Sequence, residues 1–470
     1  MSETTTDVDL DARERPDPRD DDRDLTTGPV WTVLARIAAP MVLGLIAVLS
    51  VGLVDTFFVG KLGKDQLAAL SFAFPVAIML TGLCIGLGVG TASVVSRRTG
   101  EGRDDAARQA SLYGVLLAAL ITSIVSLGLA LLTRPLFDRL GASAAVLDHI
   151  VDYMPIYFIS VPFLSLSIVL HNISRAVGEA NWPTAIMLAS GCLNIALTAA
   201  LVFGVGPVPG FGILGAALGT VLARLCIVPA SLWLVTKKLG MIHWHLPKFY
   251  RTLSAWREIL KIAAPSGGGN MVNPISNIVI TAILAGFAQT AVAGFGIATQ
   301  VQSIATIPLL AMSSAIGPIA GQNWGANKPD RIVSTLKWAF GLCLAWAAII
   351  GAGLWVFGAP IAGVFSNEAD VTENAASYLR IVPISLFGFG MLVIGAAAFN
   401  AVDQAARGLA VYLLRACVFF LPLAFIGSIL AQARGVYIGM AVANGLAGLI
   451  IAAYVLRWFK RNQDLAGEQE

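Results

Sequence analysis

Apolar runs long enough to cross a hydrocarbon core, which takes about 20 residues, recur from Trp31 to Arg457 with short polar breaks between them. The runs lack the alternation of apolar and polar positions that marks an outer-membrane strand, so they predict helices. The breaks place these at 31–58, 66–96, 109–132, 150–172, 184–205 and 212–236, then at 258–285, 290–320, 334–357, 376–399, 407–431 and 434–457. The pattern predicts an all-α polytopic membrane protein with twelve transmembrane helices.

The second six runs repeat the first. Ile37, Ala38, Ala39 and Pro40 return as Ile262, Ala263, Ala264 and Pro265, 225 residues later. At that displacement Gly100 meets Gly325, Asp105 meets Asp330, Pro135 meets Pro360 and Tyr153 meets Tyr378, while Gly215 faces Gly439 at 224. An even number of crossings separates equivalent positions, which predicts two six-helix lobes related by a pseudo-twofold axis along the membrane normal. Transporters built from parallel repeats bind substrate between the halves and rock one against the other. A duplication kept only for stability, as in a channel or scaffold, is the competing reading. The expected organisation is a polar tail at 1–30, an N-lobe at 31–236, a cytoplasmic linker at 237–257, a C-lobe at 258–457 and a second tail at 458–470.

Composition agrees: 57% of residues are hydrophobic, 13% are charged and the mean hydropathy is +0.78, against roughly a quarter charged in soluble domains. The net charge of +3 is too small to argue for nucleic acid. The cations instead report topology. With the N-terminal tail in the cytoplasm, that side receives Arg97, Arg98, Arg103, Arg108, Arg175, Lys237, Lys238, Arg257, Lys328, Arg331, Arg457 and Lys460. The other side receives only Lys61, Lys64, Arg134, Arg139 and Arg434. Both termini are therefore expected in the cytoplasm, with the chain in the cell inner (plasma) membrane. The first thirty residues lack the apolar core of a signal peptide and predict a disordered, solvated tail.

Little in the chain suggests an enzyme. Cys84, Cys192, Cys226, Cys343 and Cys417 sit in separate apolar segments without metal-ligand spacing and are expected as buried small apolar residues. His243 and His245 in the linker lack further ligands. Glycine stretches such as GLCIGLGVG and PSGGGN are not phosphate loops, since no GxxxxGK[ST] order is present. No nucleophile and base pairing is visible, so neither a catalytic role nor a cofactor is expected.

One acid breaks the apolar pattern. Asp55 lies in the first run, and an ionisable residue within a membrane span defaults to a functional reading because it costs about 2.5 to 3.5 kcal/mol at the bilayer centre. Burial favours its neutral form and neighbouring donors or cations its charged form, so it is suited to carry a proton or to ligate Na+. A polar staple between helices is the plainer reading. Pro40 in the same run removes a helical hydrogen bond and is expected to kink the first helix as a hinge. Displacing Asp55 by 225 lands on Ile280, so the lobes differ in chemistry. Arg224, Arg380 and Arg415 also fall in or beside apolar spans, and Arg380 and Arg415 are expected to snorkel, with a place in the C-lobe cavity as the alternative for Arg415.

Four stretches carry a family resemblance: VDTFFVGKLGKDQLAAL at the first helix, RAVGEANWP followed by Asn194, GILGAALGT at the start of the sixth helix, and QNWGANKPDR after the eighth. With twelve helices and the half-length repeat, the chain from Trp31 to Arg457 resembles a multidrug and toxic compound extrusion (MATE) transporter of the DinF-like prokaryotic branch. The resemblance implies alternating access driven by a proton or sodium gradient. It places the coupling acid at Asp55, the bending proline at Pro40, an Asn at Asn194 and a Thr at Thr220. Where the family commonly carries a second acid, this chain has Thr198, and where another branch has a seventh-helix Glu, it has Asn273. Asn194 and Thr198 lie four apart and share a helix face, both offering neutral oxygen.

The expected function is secondary active export of amphipathic or cationic organic compounds by proton or Na+ antiport, with a flippase for lipid-linked saccharides or other lipids as the alternative. The expected partners are a small-molecule substrate and membrane lipids, not nucleic acid, and the expected unit is a monomer.

Overall fold

The computed structural model describes residues 23–206, 209–243 and 249–467. In the bilayer every backbone polar group must find its partner within the protein, which leaves helices as the solution for these apolar runs. The N-terminal half forms α1 (Val30–Gly60), α2 (Lys64–Gly100), α3 (Asp104–Leu131), α4 (Ala144–Ala176), α5 (Asn181–Phe203) and α6 (Ile213–Lys238, its last turn a π turn). A short helix, Thr133–Arg139, joins α3 to α4.

The C-terminal half forms α7 (Phe249–Ala285), α8 (Gln289–Gly325), α9 (Pro329–Phe365), α10 (Ala369–Ala401), α11 (405–430) and α12 (433–467). The last two are separated only by Ala431 and Gln432, whose backbones leave the helical region at φ −151° and 50°. Each of the twelve predicted runs is a helix. Several extend beyond the apolar stretch, as α9 does on both sides, because polar end turns continue a helix into the membrane interface. Pro40 does not end α1, which stays one helix across it.

The two halves repeat the same packing. In the first, α4 contacts α2, α3 and α6, and α1 contacts α5; in the second, α10 contacts α8, α9 and α12, and α7 contacts α11. The lobes meet where α2 crosses α7 and α8 and where α1 crosses α8. Small residues set these crossings: a Cβ on Gly86 would lie 2.5 Å from the Ala263 carbonyl oxygen, and one on Gly100 would overlap that of Gln322.

Hydrogen bonds between the lobes gather at the end of the bundle that carries both chain termini. Ser93 donates to the Asn400 carbonyl at 2.6 Å, and Arg97 and Arg98 both reach Glu258, at 3.3 and 2.6 Å. The first turns of α7, expected as linker, pack here, with Trp256 Nε1 donating to the Tyr113 carbonyl at 3.0 Å.

Residues 23–29, expected to belong to the solvated tail, instead form a strap across this seal. Leu25 is fully buried; its N–H donates to Gln322 Oε1 at 3.1 Å, and its carbonyl accepts from Asn323 Nδ2 at 2.9 Å. Lys328 donates to Thr26, and Arg331 to the carbonyls of Thr27 and Gly28. Gln322 also reaches back to the N-lobe, donating to the Ala176 carbonyl at 2.7 Å. The sequence of this segment is polar enough to read as tail, but its carbonyls meet three donor side chains of the C-lobe, Asn323, Lys328 and Arg331.

Candidate functional site

The N-lobe holds a cavity of about 320 Å³ bordered by α1, α2, α4, α5 and α6. Asp55 on α1, Asn194 on α5 and Thr220 on α6 all line it, so the structure brings together three of the residues singled out from sequence. Thr198, one turn beyond Asn194, lies behind the wall, fully buried. Pro40 is 15 residues before Asp55, about four helical turns away, and does not border the cavity.

The α5–α6 contact is close because α6 presents glycine to α5. A Cβ on Gly219 would stand 2.7 Å from Thr198 Oγ1, and one on Gly215 would overlap the Leu201 carbonyl. This approach lets Asn194 Nδ2 reach Thr220 Oγ1 at 3.4 Å, while the Thr220 hydroxyl donates to the Ala216 carbonyl at 3.1 Å. Asp55 faces Thr198 and lies in the field of Arg224. Among the described residues, no cation comes within ion-pair distance of it.

Three oxygens here, Asp55 Oδ1 and Asn194 Oδ1 on the wall and Thr198 Oγ1 behind it, are buried without a hydrogen-bond partner. A buried acceptor left unpaired costs about 1–3 kcal/mol, more when charged. A proton on the carboxylate, or a cation held among the oxygens, relieves that cost.

Sequence reasoning missed what α4 contributes. Tyr153 and Tyr157 line the cavity with rings stacked 5.9 Å apart at 17°. Arg224 places its guanidinium 5.3 Å from the Tyr157 ring centre and donates from Nη1 to Ser160 Oγ at 2.5 Å. His171 also borders the cavity and sits 3.1 Å from Ser231 Oγ. The available signal was Arg224 itself, an intramembrane arginine one turn after Thr220.

Among the described residues, the C-lobe has no counterpart to this wall. Ile280, the repeat partner of Asp55, is fully buried. Arg415 does not snorkel: it is 5% exposed, donating from Nε to Asn444 Oδ1 at 2.9 Å and from Nη1 to Asn273 Oδ1 at 2.6 Å. Its guanidinium lies 4.3 Å from the Phe420 ring centre, and Asn444 in turn donates to Ser385 Oγ at 3.3 Å. Two amide oxygens and an aromatic face satisfy the cation inside the lobe, which removes the reason to reach for water. Arg380 is exposed on the bundle surface, as snorkelling requires. Of the five free cysteines, Cys84 and Cys343 are buried, but Cys192, Cys226 and Cys417 face outward, contrary to expectation. An apolar exterior accepts a thiol as readily as a core does. Among the described residues no cluster of potential metal ligands forms. His245 lies outside them.

Two pseudo-symmetric six-helix lobes, one of them holding a largely apolar cavity that carries an acid and an arginine, define a polytopic membrane transporter. The MatE family model matches twice, at residues 40–200 and 265–426, more than half of the chain, and the two matches start 225 residues apart. The chain belongs to the MATE family, whose members are transporters and not enzymes. It is 33% identical to a protein of Shewanella oneidensis named FAD transporter, over 92% of this chain and 95% of that one. It is 25% identical to the multidrug export protein MepA of Staphylococcus aureus, over 91% and 94%. A crystal structure of a mutant of the Vibrio cholerae MATE transporter VcmN superposes with a TM-score of 0.88 at 26% identity, covering 93% of this chain and 98% of that one.

Proposed function

We propose that this protein exports amphipathic organic compounds across the cell membrane by alternating access, in exchange for a cation bound at Asp55. The observation that supports this most directly is the group of unpartnered buried oxygens around the one acid of the N-lobe cavity. One carboxylate with two neutral oxygens suits a proton, which needs a single acceptor, better than Na+, which needs several; we therefore take the proton as the coupling ion. Asn194, Thr198 and Thr220 complete the site.

The distribution of Lys and Arg puts both termini, and with them the interlobe seal, in the cytoplasm. The cavity is then reached from outside in this conformation. Protonating Asp55 removes the negative charge beside Thr198 and changes how α1 rests on α5. Because α1 also packs on α8 of the other lobe, this change is passed to the seal. Pro40, which leaves one carbonyl of α1 unbonded, is the place for the helix to bend and narrow the cavity. One chain contains both lobes and the site, so the working unit is a monomer in contact with lipid. The names of the two relatives, an FAD transporter and a multidrug export protein, both fit an organic substrate.

The test is uptake of the dye ethidium by inside-out vesicles carrying wild type or Asp55→Asn, under an imposed proton or Na+ gradient. Wild type is expected to accumulate dye under the proton gradient and the variant is not. Equal accumulation by the two would remove Asp55 from the coupling step.

A further inference from the structure

We propose that Arg224 is an anion-binding residue of the N-lobe cavity, and that the compound exported carries an acidic oxyanion group, a phosphate or carboxylate, beside an aromatic ring system. The proposal rests on this cavity being part of the substrate path.

Arg224 sits near the middle of α6, with 11 residues before it and 14 after it in Ile213–Lys238, too far from either end for its side chain to reach water along the helix. It lines the cavity and is half-buried. A guanidinium carries five N–H donors in a planar fork suited to two oxygens of one oxyanion. Here the fork meets one protein acceptor, the neutral hydroxyl of Ser160, and the face of Tyr157. Asp55 shares the cavity wall but stays beyond ion-pair distance, so it does not occupy the donors of Arg224. A permanent cation held in an apolar lobe with most of its donors unused is prepared for an oxyanion.

Arg415 shows what a structural arginine looks like in this same molecule. Two Asn oxygens and an aromatic ring occupy it, and 5% of it is exposed. Arg224 has one neutral hydroxyl and one ring face, and is only half-buried. The remaining lining favours a planar ring: Tyr153 and Tyr157 stand beside the guanidinium, with Phe74, Leu164 and Met187 making much of the rest. A cationic compound such as ethidium meets Arg224 as a like charge, so it is expected to be carried less well than an anion of similar ring size, but it is not excluded because Asp55 on the same wall offsets that charge.

Charge accounting adds a second readout. Export of a singly charged anion against one proton moves two positive charges inward, whereas exchange of a monovalent cation for a proton moves none. Anion export is therefore accelerated by an inside-negative potential and cation export is not.

The experiment uses riboflavin and riboflavin 5′-phosphate, which share one fluorescent ring and differ by a phosphate, titrated onto the purified full-length protein. Wild type is expected to bind the phosphate at least about tenfold more tightly, as a charge-assisted pair implies. Arg224→Gln should bring the two ligands to within about twofold, and Arg224→Lys should keep part of the preference, since its charge survives without the fork. Binding of neither flavin by wild type, equal binding of the two, or an undiminished preference in Arg224→Gln overturns the proposal. If Arg224→Gln loses both ligands, Arg224→Lys decides: a retained phosphate preference supports the proposal and its absence overturns it. Ethidium export in vesicles reads the exporter function separately, so failure of one reading is distinguishable from failure of the other.

Discussion

The two lobes share one packing plan and differ in what they place inside it. In the N-lobe an acid, Asp55, and an arginine, Arg224, face a common cavity without pairing, and three oxygens nearby lack partners. In the C-lobe the position of the acid is Ile280 and the arginine, Arg415, is closed off by Asn273 and Asn444. The backbone repeat sets which helices touch. In the proposed mechanism, side-chain saturation sets which lobe responds to an ion. A saturated charge holds a lobe together; an unsaturated one gives it something to bind.

The largest expected effect separates the lobes outright. Asp55→Asn should reduce proton-driven transport to the level of vesicles without the protein, while Ile280→Ala leaves coupling in place; similar losses from both would break the comparison. Next comes stability. Arg415→Met leaves two buried Asn oxygens unpaired and should cost about 2–4 kcal/mol, whereas Arg224→Met loses one hydrogen bond in an accessible cavity and should cost about 1 kcal/mol or less. Thermal unfolding in detergent ranks them, and a larger Tm drop for Arg224→Met would reverse the assignment.

Two smaller effects concern what holds the lobes together. Gln322→Ala removes partners from the Leu25 N–H and the Ala176 carbonyl and should weaken the seal by about 1–3 kcal/mol. It is read as faster labelling of a cysteine placed at the seal, and unchanged labelling would remove Gln322 from it. Glu258→Gln breaks the pairs with Arg97 and Arg98, but the carboxylate is 35% exposed, so about 1 kcal/mol or less is expected. An effect as large as that of Gln322→Ala would make the ion pairs, and not the strap, the main fastening.

The fold was legible because run length and a half-length repeat both survive without knowledge of contacts. Asp55 was legible as an acid in an apolar helix, Asn194 and Thr220 through the family resemblance, and all three line one cavity. Tyr153 and Tyr157 were not: at four-residue spacing on an apolar helix they look like any core aromatics. Arg415 was misplaced since its acceptors, Asn273 and Asn444, are 142 and 29 residues away, and no local pattern announces that they converge. Leu25 was hidden for a similar reason, one apolar residue inside a polar tail whose partners lie about 300 residues on.

That last separation has a consequence in time. The strap is made first, but Gln322 and Asn323, 297 and 298 residues after Leu25, must leave the ribosome before it can dock. At about 5–20 residues per second the strap waits on the order of 15–60 s. Its docking therefore marks the moment at which the second lobe has arrived beside the first, and a chain halted before α8 is complete is left with this fastening undone.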